Sequence, residues 1–177
     1  MAKPQARQVL QWALLLAGAV LLAAAARTLW PAAMADMATA RARAGVDQWR
    51  SHPRPVPLGE WGGWRDDLAR GLAQTPGDSQ LHDAMGYLYG TYALQAKAAP
   101  EVAKDFYQQA YTSFSQAAAL RPMSPDLAQN AGLAARLSAQ PGLRERAQFW
   151  DCRAIAYTAQ GVALAPYLND LPVAGCR

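Results

Sequence analysis

Lysine and histidine are almost missing from this chain. Lys3, Lys97 and Lys104 are the only lysines, and His52 and His82 the only histidines. The formal charge of +4 therefore rests on arginine, and the arginines are scattered: Arg41 and Arg43, Arg50 and Arg54, then Arg144, Arg146 and Arg153. They form no basic stripe interleaved with aromatics, which argues against a nucleic-acid partner. His52 falls in a proline-rich stretch and His82 lies early in an expected helix beside Asp83, a position that suits a surface or capping residue. No Ser–His–acid order, glycine-rich phosphate loop or metal-ligand spacing can be assembled, so the sequence predicts no enzyme, no metal, no cofactor and no small-molecule substrate. Runs of Val, Ile and Thr alternating with polar residues are also lacking, which speaks against sheets.

What the chain does hold is alanine-rich apolar sequence. Of 177 residues, 52% are hydrophobic and 17% charged, enough for one modest domain plus a targeting segment. Small side chains in such abundance fit closely packed helices.

The longest apolar run is Leu10 to Ala25, interrupted only by Gln11 and flanked by Lys3, Arg7 and Arg27. Trp12 and Trp30 are separated by about 27 Å of helix, close to the ~30 Å of a hydrocarbon core, and aromatic residues favour both interfaces. This predicts a cytoplasmic tail over 1–9 and a transmembrane anchor over 10–30. Arg27, Arg41 and Arg43 beyond the span leave the positive-charge count balanced, but the short N-terminal tail favours export of the rest. Ala33-Met34-Ala35 has the small-x-small form of a signal-peptide cleavage site, with Pro31 placed to end the preceding helix; a cleaved leader is the alternative. The apolar run exceeds the roughly 7–15 residues of a signal core, favouring the anchor.

Cys152 and Cys176 are the only cysteines. An even count in an exported region permits one disulfide, and their spacing fits no metal site. With Cys152 about 21 Å from a helix end at Pro166, a ten-residue tail reaching up to about 33 Å can fold back and be pinned on the last helix.

The stretch Ala117–Gly132, AAALRPMSPDLAQNAG, stops one helix and starts another around Pro122 and Pro125. It has counterparts. Three helix ends share a small residue followed by proline five positions later: Gly71 and Pro76, Ala117 and Pro122, Gly161 and Pro166. Gly86 and Gly132 each follow a proline by ten residues, Leu81 matches Leu127, and Asp78 and Ser124 are matched N-cap candidates. Such an internal repeat implies helix hairpins that stack because one alone cannot bury its apolar stripe. Gly86, Ala110, Ala117 and Gly132 are expected to allow close approach, with Tyr89, Phe106, Tyr107 and Phe114 filling the gaps. Ala110, Phe114, Ala117 and Pro122 reproduce the second-helix spacing of tetratricopeptide repeats, A-x3-F-x2-A-x4-P, and Gly132 stands where the next first-helix glycine belongs. The chain thus resembles that family, with units of about 45 rather than 34 residues. More loosely, Trp49, the proline-rich 52–58, WGGWRDDLARGLAQTPGDSQLHDAMGYLYG and ALRPMSP make Gln48 to Ser124 similar to small single-span accessory proteins of bacterial exopolysaccharide synthesis and export.

The expected architecture is all-α: an N-terminal transmembrane helix, then a tetratricopeptide-like stack of antiparallel hairpins over 60–166. Residues 31–59 form a connecting helix (32–50) and proline-rich joint, and 167–177 a tail. Helices are predicted near 60–74, 79–97, 101–120, 125–139 and 144–165, the first unit contributing only its second helix. Leu29, Met34, Met37 and Trp49 are the expected packing stripe of 32–50, with a membrane-surface helix as the alternative. The resemblance implies a concave face lined by first helices: Gln80, Asp83, Tyr87 and Thr91, then Asp126, Gln129, Leu133 and Arg136. Ordinary core and solvated positions are the competing reading of these residues, and packing that of Tyr87, Tyr89 and Tyr92. The expected function is a periplasmic adaptor, anchored in a bacterial inner membrane, that binds other envelope proteins of a polysaccharide machine. A cleaved, soluble carbohydrate-binding module is the alternative, and a hydrolase using Asp66, Asp67, Asp83 or Asp126 the least supported.

Overall fold

This computed structural model describes residues 3–158 and Cys176. Among them are six α-helices and one 3-10 turn, with no strand: α1 (Lys3–Ser51), α2 (Leu58–Gln74), α3 (Ser79–Gln95), the turn Ala96–Ala98, α4 (Pro100–Leu120), α5 (Pro125–Leu137) and α6 (Leu143–Tyr157). The expected boundaries of the middle helices hold to within two residues. Pro76 and Pro122 lie in the turns between helices, where a missing N–H and a fixed φ do no damage. The Asp78 side chain accepts from the Gln80 and Leu81 N–H groups at 2.8 and 3.3 Å, starting α3. Pro100 and Pro125 open α4 and α5, where the first helical residue needs no amide donor. Ser124 stands at its N-cap position without a side-chain capping bond. The last part of the expected 144–165 helix, Pro166, the tail other than Cys176, and residues 1–2 lie outside the described residues.

The expected anchor and connecting helix are not separate elements. α1 is one helix of 49 residues with Pro31 inside it, so Pro31 does not terminate the apolar segment. Residues 11–30 are exposed apart from half-buried Gly18, and have the length and hydropathy of a membrane span, a property shared by signal sequences. Its last part packs through Ala35, Thr39, Ala42, Val46 and Trp49, all buried. Spacings of four and three place these residues on one helix face. The expected stripe is corrected: only Trp49 belongs to it, while Leu29, Met34 and Met37 are exposed. Bulk was a poor guide because the close contacts are made through small residues.

Consecutive helices pair. A Cβ on Gly45 would meet the Trp64 indole at 2.5 Å, and Gly71 lies against the Thr39 methyl group. The contact index falls along α1 as it rises along α2, so the two helices are antiparallel. α3 and α4 pair in the same sense, with Gly86 under the Phe114 ring, Gly90 near Ala110, and Ser79 Oγ donating to the Ala117 carbonyl at 3.2 Å. α5 and α6 form a third pair, in which Gly132 faces Asp151. The first pair therefore has both helices, and the expectation that it lacked its first is corrected.

The core divides into two clusters. One, around α1–α3, holds Trp49, Trp61, Trp64, Leu68, Leu81 and Leu88. The other, around α4–α6, is mostly alanine with Phe114, Leu127 and Trp150. Tyr87 and Tyr89 pack on both. Between α1 and α2, the Arg54 carbonyl accepts from Trp49 Nε1 at 2.9 Å and from Gln95 Nε2 at 2.6 Å, tying the proline-rich joint to α3. Cys152 and Cys176 are disulfide-bonded, with 5.2 Å between their Cα atoms.

Candidate docking groove

The first helix of each pair contributes to one face. Near the start of α3 a polar hollow of about 560 Å³ is lined by Arg43, Asp47, Arg50, Gln80, Asp83, Tyr87 and Arg121. Beyond it, an apolar hollow of about 480 Å³ is lined by Trp49, Pro53, Tyr87, Thr91, Leu94, Tyr107, Leu133 and Leu137, with Arg50 and Asn130. Arg50 and Tyr87 line both, so the two hollows make one groove across α1, α3 and α5.

Tyr87 is its midpoint. The ring stands edge-on to Phe114 with centroids 5.2 Å apart, the phenol oxygen accepts from Asn130 Nδ2 at 2.8 Å, and the Arg50 guanidinium lies 4.7 Å above the ring centroid. Contacts from α1, α4 and α5 thus hold one side chain, a geometry that fixes its position before anything binds. Tyr89 and Tyr92 point elsewhere: with Trp61 and Phe106 they form a packed aromatic cluster with centroids 4.7–6.0 Å apart.

Asp83 gives the polar half its charge character. Burial pushes its carboxyl up to about 6, opposed by Arg50 and Arg121 and reinforced by Asp47 and Asp126. One of its oxygens, Oδ1, is buried without a hydrogen-bond partner. A buried acceptor of this kind gains from an incoming donor, since an unmade hydrogen bond costs about 1–3 kcal/mol. The groove therefore offers an acceptor and mixed charge at one end, and leucine side chains at the other. This suits an amphipathic segment better than a uniformly charged ligand.

Of the residues expected on the concave face, Gln80, Asp83, Tyr87, Thr91 and Leu133 line the groove. Asp126 is exposed at the start of α5, close enough to Asp83 to act on its charge. Gln129 is half-buried and does not line either hollow. Arg136 is also elsewhere: it pairs with Asp151 of α6 and borders a separate hollow with Gln140, Pro141 and Glu145. The α5 residues that reach the groove are Asn130, Leu133, Ala134 and Leu137. Sequence reasoning missed Asn130 and Leu137, because the repeat register points to Gln129 and Arg136 beside them. It missed Asp47, Trp49 and Arg50 because the sequence predicts 32–50 as a connecting helix rather than a first helix; Gly45, which faces Trp64 as Gly86 faces Phe114, is the available signal. Asp66 and Asp67 pair with Arg65 and Arg70 on α2, outside the groove. His82 Nε2 lies 2.9 Å from the Pro76 carbonyl at the α2–α3 turn. Among the described residues no group of three His, Cys, Asp or Glu is placed to hold a metal.

Compared with protein-family models, curated proteins and solved structures, the chain matches none.

Proposed function

We propose that the chain is a membrane-anchored adaptor whose stacked, tetratricopeptide-like hairpins present a docking groove to another envelope protein. The observation that carries this reading is the groove itself: three first helices, from three pairs, line a continuous trough whose centre, Tyr87, is held in place by residues of three helices. Its occupant is an amphipathic protein segment, with apolar side chains against Leu94, Leu133 and Leu137 and a donor toward Asp83. The exposed apolar part of α1 is the anchor, with the hairpins on the periplasmic side of a bacterial inner membrane. The looser likeness of Gln48–Ser124 to exopolysaccharide accessory proteins supports a polysaccharide synthesis or export machine as the setting.

The test is affinity capture of the full chain in mild detergent after crosslinking, beside Leu133→Glu. Recovery of an envelope protein by the parent chain and its loss with Leu133→Glu is the expected result. Equal recovery by both places the contact away from the groove. Measurable heat with glycan fragments, abolished by Tyr87→Ala, supports the carbohydrate-binding alternative instead.

A further inference from the structure

The continuity of α1 fixes where the hairpins stand relative to the anchor. No loop separates Trp30, at the end of the apolar segment, from Ala35, the first residue packed on the other helices. That interval is about 8 Å of helix. The rest of the domain hangs from it at known levels. Gly71 of α2 lies against Thr39, and Leu81 of α3 lies within 3.0 Å of a Cβ built on Gly71; Ser79 bonds the Ala117 carbonyl of α4. The turns that follow α2 and α4, Thr75–Asp78 and Arg121–Ser124, therefore lie at the anchor end of the domain. The polar headgroup layer extends roughly 5–8 Å beyond the hydrocarbon on each side, so these turns reach its level.

The side chains at that end are of a matching kind. Met123 at the tip of the α4–α5 turn is 71% exposed, Met37 on α1 is 67% exposed, and Leu120, three residues before Met123, is exposed as well. Arg121, two residues before Met123, borders the polar hollow near Asp83 but, like Arg27 and Arg41, makes no salt bridge among the described residues. The acids of the same end are largely occupied: Asp36 pairs with Arg43, Asp67 with Arg70, and Asp78 caps α3. Asp126 is the exposed exception. Exposed methionine and leucine in the same turn as arginine suit an interface of acyl chains and phosphates, where apolar side chains enter the acyl boundary and basic ones are drawn to anionic headgroups.

We infer that the anchor-side end of the helical domain is a second membrane contact, in which the Arg121–Pro122–Met123 turn dips into the anionic headgroup layer and holds the groove at a fixed attitude to the bilayer. This rests on the reading of α1 as a membrane anchor. With one rigid helix and one separate foot, the domain cannot rotate freely about its stalk.

The full chain reconstituted in vesicles of phosphatidylglycerol and phosphatidylcholine tests this. A single spin label is placed at Met123→Cys, at Leu22→Cys in the apolar segment, or at Leu58→Cys at the opposite end of the domain; the native cysteines are bonded and take no label. Relative accessibility to oxygen and to a water-soluble nickel chelate reports depth. The expected result is a lipid-phase label at 22, an aqueous label at 58, and at 123 an oxygen-to-nickel ratio several-fold above that at 58. Arg121→Glu is expected to remove that excess. If 123 is as aqueous as 58 while 22 is in lipid, the foot is refuted and the anchor survives. If 22 is aqueous too, the anchor reading fails and the inference falls with it. A lipid-phase 123 that is unchanged by Arg121→Glu and equal in vesicles of phosphatidylcholine alone overturns the anionic-headgroup part.

Discussion

In the first hairpin the Trp64 indole fills the space above Gly45; in the third, the equivalent space above Gly132 holds the carboxylate of Asp151. The first is built on large aromatic side chains, Trp49 and Trp64 with ring centroids 6.0 Å apart and Trp61 beside Tyr92. The third is built on alanine, a half-exposed Arg136 paired with the buried Asp151 carboxylate, and a disulfide. Fully burying one large apolar side chain contributes about 1.5–3 kcal/mol, and alanine contributes far less. An ion pair with a buried carboxylate adds little net stability, because desolvation of that carboxylate offsets the attraction. The lesson is that an alanine-lined pair depends on features that act outside its own apolar area. The cross-link restricts the unfolded chain, and Arg136 is needed chiefly so that Asp151 is not left alone.

Ways to break this contrast differ in size. Removing the aromatic fill, Trp64→Ala, is expected to cost about 3–5 kcal/mol, read as a lower urea midpoint by circular dichroism of the full chain in detergent. Cys152→Ser with Cys176→Ser is expected to cost about 3 kcal/mol, given the 24-residue separation and the loop-entropy estimate. A loss as small as that of a surface substitution would show that the third hairpin stands without its cross-link. Arg136→Ala leaves Asp151, 1% exposed, without its cation, at a cost of about 2–3 kcal/mol at neutral pH. Burial already raises the Asp151 carboxyl above its ordinary range despite Arg136. The Arg136→Ala deficit should therefore shrink on acidification, as the carboxyl takes up a proton.

The smallest effect lies in the groove between the two regions. Asp83 titrates at about 6 in the folded chain against 3.8 unperturbed, so the folded state binds this proton more tightly than the unfolded one. Its contribution is present below about pH 4 and is lost as pH rises toward about 6. Asp83→Asn should remove that slope and raise stability at pH 7.5 by about 1–2 kcal/mol, discounted for partial solvation. Thermal midpoints of both forms from pH 4 to pH 7.5 provide the check.

Local chemistry made much of this legible. Prolines mark corners at 76 and 122, Asp78 caps α3, and the spacing of Gly86, Phe114 and Ala117 foretells a close antiparallel pair. The features that escaped sequence reading are set by distant partners. Pro31 sits inside α1, where the local signal says stop. Pro31 precedes Gly45 by fourteen residues, whereas Pro76 and Pro122 precede Gly86 and Gly132 by ten, so Gly45 falls outside the repeat register. Arg136 looks like a groove residue until Asp151, fifteen positions on, is found buried beside it. At the groove, Tyr87 and Thr91 are what the tetratricopeptide resemblance implies, whereas Asn130 and Arg50 acquire their place only through contact with the Tyr87 side chain.

The most direct test is site-specific photocrosslinking in cells from two positions on the same helix. A photoreactive amino acid at Thr91, in the groove, is expected to give a discrete adduct with an envelope protein, while one at Tyr92, in the packed aromatic cluster, gives none. Adducts of equal yield from both positions, or none from Thr91, would contradict a docking role for this face.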